Sequence, residues 1–270
     1  IYTTCRAADM SFPDFEVDGK TYPLSFVLYE NSYQYNPDHK LRHSAFKAFS
    51  KVLNQYKNTV AANYYAQVSK EKNMATLRGY DSVFDYLLDD QEVPREFFDR
   101  QIDVIIEELG PVMQKYVKLI QKERGLDKLT FSDLQIDLDP EFAPKVPLDK
   151  APEYISDAIK ILGPEYHDMI MKCFDERWVD FPANKGKETG GFETTPYGKH
   201  AYILMSWTDE MADVYTLVHE LGHAGQEMLT NKTNHPLSCG VSTYIVEAPS
   251  TFNELLLTHA LEEKSSDKRM

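Results

Sequence analysis

The segment from Thr208 to Met228 constrains the fold more than any other part of the sequence, because its residues follow a helical period. Apolar residues recur at three- and four-residue steps along one side: Val214, Leu217, Val218, Leu221 and Met228. Polar residues recur on the other side: Thr216, His219, Glu220, His223 and Glu227. An amphipathic helix here places His219 and His223 one turn apart on the same face.

The run His-Glu-Leu-Gly-His from His219 to His223 has the composition and spacing of a catalytic zinc site. Two imidazoles at positions i and i+4 reach one ion, and Glu220 then lies beside a water rather than beside the ion. Peptide hydrolysis needs a Lewis acid and a nucleophile, which zinc supplies, and a carboxylate that transfers the proton. We therefore predict one Zn²⁺ per chain, with Glu220 as general base. Gly222 and Gly225 indicate close approach by another backbone or by a substrate.

A third protein ligand is expected on the element that follows the motif helix, because catalytic zinc sites combine three protein ligands with an open position. Glu247 lies in the segment Tyr-Ile-Val-Glu-Ala-Pro-Ser, and a carboxylate suits zinc beside two histidines. Glu254 follows about two helical turns later, so it shares a face with Glu247. We predict that Glu254 accepts the second ring N–H of a ligating histidine. Pro249 predicts that this helix begins there or is kinked.

Other residues compete with Glu247 for the role of third ligand. His235 lies in a polar loop and His259 in the following helical segment, and either is an alternative. Cys239 also lies between the predicted ligands, although a free thiol is its simpler interpretation. For the remaining histidines we find no partner at ligand spacing and predict no metal role: His39, His43, His167 and His200.

Helical patterns also dominate the first two thirds of the chain. Asn36-Pro37-Asp38 is a helix entry, with Asn36 as cap and the proline in the first turn. A second apolar face runs from Pro94 to Gly125, with a bend expected at Pro111. Two shorter helices are predicted from Ala151 to Leu162 and from Glu165 to Phe174.

Strand signals are few. Leu134, Ile136 and Leu138 alternate with polar residues and predict a short strand. The segment from Gly190 to Trp207 predicts a β-hairpin with its turn near Tyr197-Gly198, preceded by a polar loop over 185–191. The expected fold class is therefore mainly α, with a small sheet or hairpin beside the helix that contains the two histidines.

Composition excludes several classes of partner. The formal charge of −14 disfavours binding to nucleic acid or to an anionic membrane. No apolar run approaches the length of a membrane-spanning helix, and the first residues lack the apolar core of a signal peptide. The odd number of cysteines, three, and their wide spacing argue against a disulfide framework, which favours a reducing compartment, and we expect the cytoplasm.

Two motifs together resemble a known family. His-Glu-Leu-Gly-His-Ala-Gly-Gln from His219, followed by Ile-Val-Glu-Ala-Pro-Ser-Thr-Phe-Asn-Glu to Glu254, is similar to the oligoendopeptidase F family, relatives of thimet oligopeptidase. Thr194 to Trp207 and the helical run from Ala45 to Thr59 also resemble that family. The resemblance implies a zincin-type helical metallopeptidase whose deep cleft admits short peptides and excludes folded proteins.

The resemblance assigns the same roles as the spacing does. It implies zinc ligation by His219, His223 and Glu247, catalysis by Glu220, and a substrate that extends along the hairpin before the motif helix. Family members continue on both sides, and their C-terminal part supplies a histidine and tyrosines that stabilise the tetrahedral intermediate. We therefore expect this chain to be part of a longer polypeptide, whose remainder is a candidate partner.

We predict a single, incomplete catalytic region over residues 1–270, mainly helical over 1–184 and containing the hairpin and zinc-binding helices over 185–270. Its expected function is zinc-dependent cleavage of internal bonds in oligopeptides. One alternative is a non-catalytic module that holds zinc and binds peptides or a partner chain. Another is an exopeptidase, which needs a charged anchor for a substrate terminus that the sequence does not reveal.

Overall fold

The computed structural model describes residues 1–139, 141–182, 184, 187 and 190–267. The chain divides into two compact units, Ile1–Pro140 and Glu141–Met270. The described helices of the first unit are α1 (Tyr2–Thr4), α2 (Phe26–Asn31), α3 (His39–Leu77), α4 (Val83–Asp90), α5 (Arg95–Val104) and α6 (Gly110–Glu123). Those of the second are α7 (Ala151–Ile159), α8 (Pro164–Asp175), α9 (Met211–Thr233) and α10 (Thr243–Lys264). None of them combines the length and apolarity that crossing a bilayer requires.

The predicted architecture, mainly helical with a small sheet, is confirmed. The strands are β1 (Phe15–Val17), β2 (Lys20–Tyr22), β3 (Val179–Asp180), β4 (Phe192–Thr194) and β5 (Tyr202–Leu204). That the whole chain forms a single catalytic region, with its mainly helical part ending at 184, stays a prediction. The predicted polar loop over 185–191 lies largely outside the described residues.

The first unit contains an aromatic core beside a hairpin that sequence analysis missed. Strands β1 and β2 pair antiparallel around an Asp18-Gly19 turn, whose residues both have positive φ. Asp-Gly is a common signal for such two-residue turns, so the hairpin was detectable. The hairpin packs on the start of α3, and the buried cluster is Phe15, Leu24, Tyr29, Tyr33, Leu41, Ala45 and Phe49.

Helix α3 begins two residues later than its predicted first turn. Asp38, not Asn36, is the cap, because its Oδ1 accepts the backbone N–H groups of Lys40 and Leu41. Asn36 instead accepts the N–H of Asp38. Pro37 therefore precedes the helix rather than opening it.

The helix predicted from Pro94 to Gly125 is present, but a widened turn interrupts it. A π-turn over Ile105–Leu109 separates α5 from α6, and Pro111 lies in the first turn of α6. A proline lacks the N–H that the α-helical ladder needs, and π-turns are a common way of shifting that ladder by one residue. The apolar face that predicted this helix is largely exposed, and only Ile120 on it is buried.

The strand predicted over Leu134 to Leu138 is wrong. A 3-10 turn over Phe131–Asp133 precedes this segment, and no strand forms there. The side chain of Thr130 and that of Asp133 cap each other's backbone N–H, which commits the chain to a turn. Asp133 also forms an ion pair with Arg42 of α3, and both side chains are almost fully buried.

The ion pair between Arg42 and Asp133 predicts a large, pH-dependent contribution to stability. Burial alone would raise the pKa of the Asp133 carboxyl, but hydrogen bonds from Arg42, His43 and Thr130 outweigh it and hold this pKa well below its ordinary value. A carboxyl with a lowered pKa stabilises the fold fully above its unfolded pKa of about 3.9, and the contribution declines as pH falls below that value.

Asp133→Asn should therefore destabilise the protein by about 3–5 kcal/mol at pH 7, because it leaves a buried guanidinium uncompensated. Thermal or urea unfolding of the variant against the parent measures this difference. The exposed Asp137 nearby provides a matched control, since Asp137→Asn removes a solvated carboxylate. A loss below about 1 kcal/mol, or a difference that grows as pH falls below 4, would contradict the assignment.

The second unit packs four helices against a three-stranded sheet. Strand β5 is central and pairs parallel with β3 and antiparallel with β4. The β4–β5 hairpin confirms the predicted one, and its turn lies over residues 197–199. Fully buried side chains join the helices to the sheet: Ile155, Ile159, Ile170, Ala201, Val214, Leu217, Val218, Leu221 and Leu257.

Candidate metal centre

Helix α9 presents His219 and His223 on one face because its opposite face is buried. The predicted apolar residues Val214, Leu217, Val218 and Leu221 are fully buried in the core of the second unit. A capping box formed by Glu210 and Asp213 fixes where the helix begins. The two imidazoles are therefore held by a helix that cannot rotate without exposing its apolar stripe.

Helix α10 places Glu247 beside both imidazoles. Glu247 Oε2 lies 3.3 Å from His219 Nε2 and 3.2 Å from His223 Nε2. The two Nε2 atoms are themselves 3.2 Å apart. The three donor atoms therefore form a nearly equilateral triangle. Tetrahedral zinc with bonds of about 2.0–2.1 Å places its ligand atoms about 3.3 Å apart, so the triangle has the dimensions of one face of such a site.

Glu254 fixes the orientation of the first imidazole. Its Oε1 lies 2.6 Å from His219 Nδ1, on the side of the ring away from Glu247. When Nδ1 carries the proton and donates it to this carboxylate, Nε2 has a free lone pair that faces the triangle. The ring therefore presents an acceptor to the centre, as a metal ligand must.

Glu220 lies next to this triangle but is shielded from solvent. Its side chain is buried, and Gly191, just before β4, passes directly over it. A Cβ at Gly191 would lie 2.8 Å from Thr216 Cγ2 and 3.0 Å from Glu220 Oε1. Burial raises the pKa of the Glu220 carboxyl, the Glu247 carboxylate adds to the rise, and His219 opposes it. A raised pKa brings a carboxylate closer to the range in which proton transfer at neutral pH is efficient.

A second carboxyl beside Glu220 was missed by sequence analysis. Glu193 of β4 accepts a hydrogen bond from the Thr195 hydroxyl. Burial raises its pKa to about 7; Glu227 and Glu220 add to the rise, and the Thr195 hydrogen bond opposes it. Alternation along the predicted hairpin offered a signal, because it places Glu193 on the opposite side of the strand from Phe192 and Thr194, and these two residues are exposed.

Both glycines of α9 were predicted to lie close to another backbone or a substrate, and the structure confirms this for Gly222 but not for Gly225. A Cβ at Gly222 would lie 2.6 Å from Ser250 Cα and 2.7 Å from the Pro249 carbonyl oxygen, so the backbones of α9 and α10 touch there. At Gly225 the neighbour is the side chain of Tyr166, 2.4 Å away, rather than a backbone or substrate. Pro249 lies inside α10, which begins earlier, at Thr243.

Gly222→Ala should therefore separate the two helices that contain the triangle. The methyl group meets backbone atoms, which cannot move aside alone, and overpacking of this kind costs about 1–3 kcal/mol. We expect both the melting temperature and the zinc affinity to fall, because Glu247 moves with α10. Gly110 is a matched control: it is also helical, and a Cβ there meets nothing within 4 Å.

Gly110→Ala should leave the zinc affinity unchanged, because Gly110 is not in the unit that contains the triangle. Its effect on stability is set locally, since Pro111 disfavours α-helical backbone for a preceding residue that has a Cβ. Differential scanning calorimetry and a zinc competition titration compare the two variants. Equal effects of Gly222→Ala and Gly110→Ala on zinc affinity would show that the helix contact does not set the triangle.

The alternative third ligands lie outside the triangle. His235 Nδ1 accepts the N–H of Leu237, and His259 pairs with Glu263 at 3.5 Å. The Cys239 thiol donates to the His235 carbonyl, and all three cysteines are free. Elsewhere, His200 stacks on Trp178, and His167 contacts Ser156 and Asp168.

The prediction that His39 and His43 have no partner at metal-ligand spacing is wrong. Among the residues that the structure describes, two groups bring three donor atoms within 4.8 Å of one another, and the second is His39, His43 and Asp133. The two histidines are also one turn apart on a helix, and the carboxylate comes from a distant part of the sequence. The spacing of the two histidines was present in the sequence, but the carboxylate that completes the group, Asp133, is 90 residues from His43.

Comparison with known proteins identifies the family. The sequence model of Peptidase family M3 matches residues 32–270. The chain belongs to Peptidase family M3. The M3 chain is 31% identical to oligopeptidase PepF of Bacillus subtilis over 99% of its own length and 40% of that protein. It is 30% identical to the group B oligopeptidase PepB of Streptococcus agalactiae over 86% of its length and 38% of that protein.

Solved structures share the fold of this M3 chain. PZ peptidase A with inhibitor 2 superposes with a TM-score of 0.80 at 19% identity, over 97% of this chain and 46% of that one. Oligoendopeptidase F from Enterococcus faecium superposes with a TM-score of 0.64 at 23% identity, over 99% of this chain and 40% of that one. The chain thus spans about 40% of the length of the curated relatives it matches.

Proposed function

We propose that this M3 chain holds one tightly bound zinc ion through His219, His223 and Glu247, and that the protein containing it cleaves internal bonds of short oligopeptides. The observation that carries the proposal is the triangle of Nε2, Nε2 and Oε2 atoms with sides of 3.2–3.3 Å. Two neutral imidazoles and one carboxylate are a donor set that suits a catalytic zinc ion. The names of the curated relatives, which are oligopeptidases, support the substrate class.

When bound, zinc supplies a Lewis acid for the scissile carbonyl and lowers the pKa of water to about 7. Glu220 takes the proton of the attacking water on a carboxylate oxygen and returns it to the leaving amine. Glu254 keeps the lone pair of His219 Nε2 directed to the centre by accepting the Nδ1 proton. Gly191 covers the Glu220 side chain and so limits the contact of Glu220 with bulk water.

Strand β4 supports the proposal that the substrate binds in an extended conformation. It is an edge strand of the sheet, because only β5 pairs with it among the described strands. An extended peptide adds to such an edge through main-chain hydrogen bonds, which do not depend on sequence. Since β4 follows directly on Gly191, a peptide on this edge passes close to Glu220.

A cytoplasmic location is part of the same proposal. The two buried cysteines, Cys5 and Cys173, and the partly buried Cys239 are all unpaired, as in proteins that fold in a reducing compartment. Burial raises the pKa of the Cys173 thiol to about 12, with Asp175 adding to the rise, so this thiol resists oxidation.

The proposal is tested with a polypeptide that contains residues 1–270 in the context of the intact protein. Metal analysis should find about one tightly bound zinc, and a chelator should abolish cleavage of an internally quenched, end-blocked peptide until zinc is restored. Cleavage that ignores the chelator rejects the proposal. Cleavage of free-ended peptides alone indicates an exopeptidase, and zinc without turnover indicates a non-catalytic zinc-holding module.

A further inference from the structure

The start of α3 and the 3-10 turn over Phe131–Asp133 bring a second set of metal-binding groups together within the first unit. The rings of His39 and His43 lie 3.9 Å apart between centroids, with an interplanar angle of 34°. Asp133 Oδ1 lies 2.7 Å from His43 Nε2 and 3.9 Å from His39 Nδ1. One nitrogen of each ring thus faces the same carboxylate oxygen.

The carboxylate of this group is buried, whereas the two imidazoles are partly exposed, so a metal ion in solution can reach them. Asp133 is fully buried, while the side chains of His39 and His43 are 52% and 31% exposed. Arg42 and Thr130 hold the Asp133 carboxylate from within, so its position is fixed before any ion arrives. An ion therefore reaches the imidazoles from solvent and meets an oxygen that is already in place.

We propose that His39, His43 and Asp133 form a second site for a divalent transition metal ion, independent of the proposed catalytic zinc. Two imidazoles at i and i+4 favour Cu²⁺, Ni²⁺ and Zn²⁺ over Mg²⁺ and Ca²⁺, which prefer oxygen ligands. On binding, the ion takes the place of the proton between His43 Nε2 and Asp133 Oδ1, and that proton passes to His43 Nδ1 or to solvent water. Arg42 keeps its hydrogen bonds to the carboxylate.

Arg42 also makes this site weaker than the catalytic one. Its Nε and Nη2 atoms both donate to Asp133 Oδ1, which is the oxygen that faces the imidazoles. The guanidinium already compensates the charge of the carboxylate and repels a second cation nearby. The site should therefore fill only at free metal concentrations at which the triangle of His219, His223 and Glu247 is already saturated.

Occupation of the site would cross-link two segments that lie far apart in sequence. His43 and Asp133 are 90 residues apart, and the ion would tie the first turn of α3 to the 3-10 turn. A ligand that binds only the folded state stabilises it in proportion to its occupancy. The second ion would therefore raise the melting temperature of the first unit without contributing to hydrolysis.

His39→Ala is the sharpest test, because this side chain is largely exposed and its Nδ1 is 3.9 Å from the carboxylate, beyond hydrogen-bonding distance. His259→Ala is the matched control: it removes an exposed helical histidine that faces Glu263 at 3.5 Å. His223→Ala removes the proposed catalytic zinc instead. Melting curves in metal-free buffer verify that each variant is folded.

Equilibrium dialysis against raised free Zn²⁺ should give about two ions for the parent and for His259→Ala, and about one for His39→Ala. The affinity of the second site for Zn²⁺ should fall about 10-fold or more in His39→Ala. Loss of a residue that only hydrogen-bonds to a metal ligand already costs about that much, and His39 is proposed as a ligand itself. The double variant His39→Ala, His223→Ala should bind none. If the catalytic assignment fails, His223→Ala changes nothing, while the difference between His39→Ala and His259→Ala persists.

Cu²⁺ provides a direct signature of the ligands. In the His223→Ala background, the electron paramagnetic resonance spectrum of the first equivalent should show coupling to two imidazole nitrogens, reduced to one in His39→Ala. The proposal is overturned if the parent takes up no second ion, if His39→Ala and His259→Ala lose it equally, or if the copper spectrum does not change with His39→Ala.

Discussion

Glu220→Gln is expected to lower the rate of peptide hydrolysis by about 10²–10⁴-fold while zinc stays bound, since that is the usual contribution of a general base. The amide has nearly the shape of the carboxylate, so it fits beneath Gly191 with the same contacts. It cannot accept the proton of the attacking water. Activity per bound zinc, measured with an end-blocked quenched peptide, isolates this step from metal loss.

Glu227→Gln provides the control for Glu220→Gln on the same helix. Its carboxylate accepts the Thr195 backbone N–H, and the amide oxygen of glutamine keeps that hydrogen bond. Hydrolysis should change by no more than a few-fold. If Glu220→Gln retains zinc and cleaves at the parent rate, Glu220 is not the base, and the neighbouring Glu193 becomes the carboxyl to test next.

Glu247→Ala is expected to reduce zinc affinity more than 100-fold, beyond the 10–100-fold usual for residues that only orient a ligand. The variant removes the carboxylate of the triangle and leaves only the two imidazoles. The Glu247 side chain is 59% exposed, so the fold should lose little stability. Competition with a chromophoric chelator measures the affinity, and calorimetry measures the stability.

Glu262→Ala serves as the control for Glu247→Ala, because it removes an exposed carboxylate from the same helix. It should leave the zinc affinity unchanged. An unchanged affinity in Glu247→Ala would move the role of third ligand to another residue, and a parallel loss in both variants would point to a general effect of charge on this acidic protein.

Local patterns were sufficient to predict the parts of the site that lie on one element. The period of α9 alone places His219 and His223 on one face, and the β4–β5 hairpin follows from alternation and a Gly-containing turn. The contact between Gly222 and Ser250 was predicted only in part. The glycine indicated that a neighbour lies close to the helix, but the sequence did not identify that neighbour. Distances between elements depend on packing, which no local period encodes.

The errors in the first unit have the same origin. The alternation at Leu134 to Leu138 predicted a strand. The segment instead follows a 3-10 turn, which the reciprocal capping of Thr130 and Asp133 stabilises. His39 and His43 were dismissed because their carboxylate partner is 90 residues away. In each case the structure depends on a side chain that lies outside the segment in which the sequence pattern was found.

The contact at Gly222 has a consequence for how this protein can vary. The two helices that carry the proposed zinc ligands touch main chain to main chain, one residue before His223 and three residues after Glu247. Leu257 and Leu261 lie further along α10, in the core of the second unit, and are not among the atoms that approach Gly222. We therefore expect substitutions at Leu257 or Leu261 to change thermal stability more than affinity for the ion, whereas a side chain at position 222 should change both.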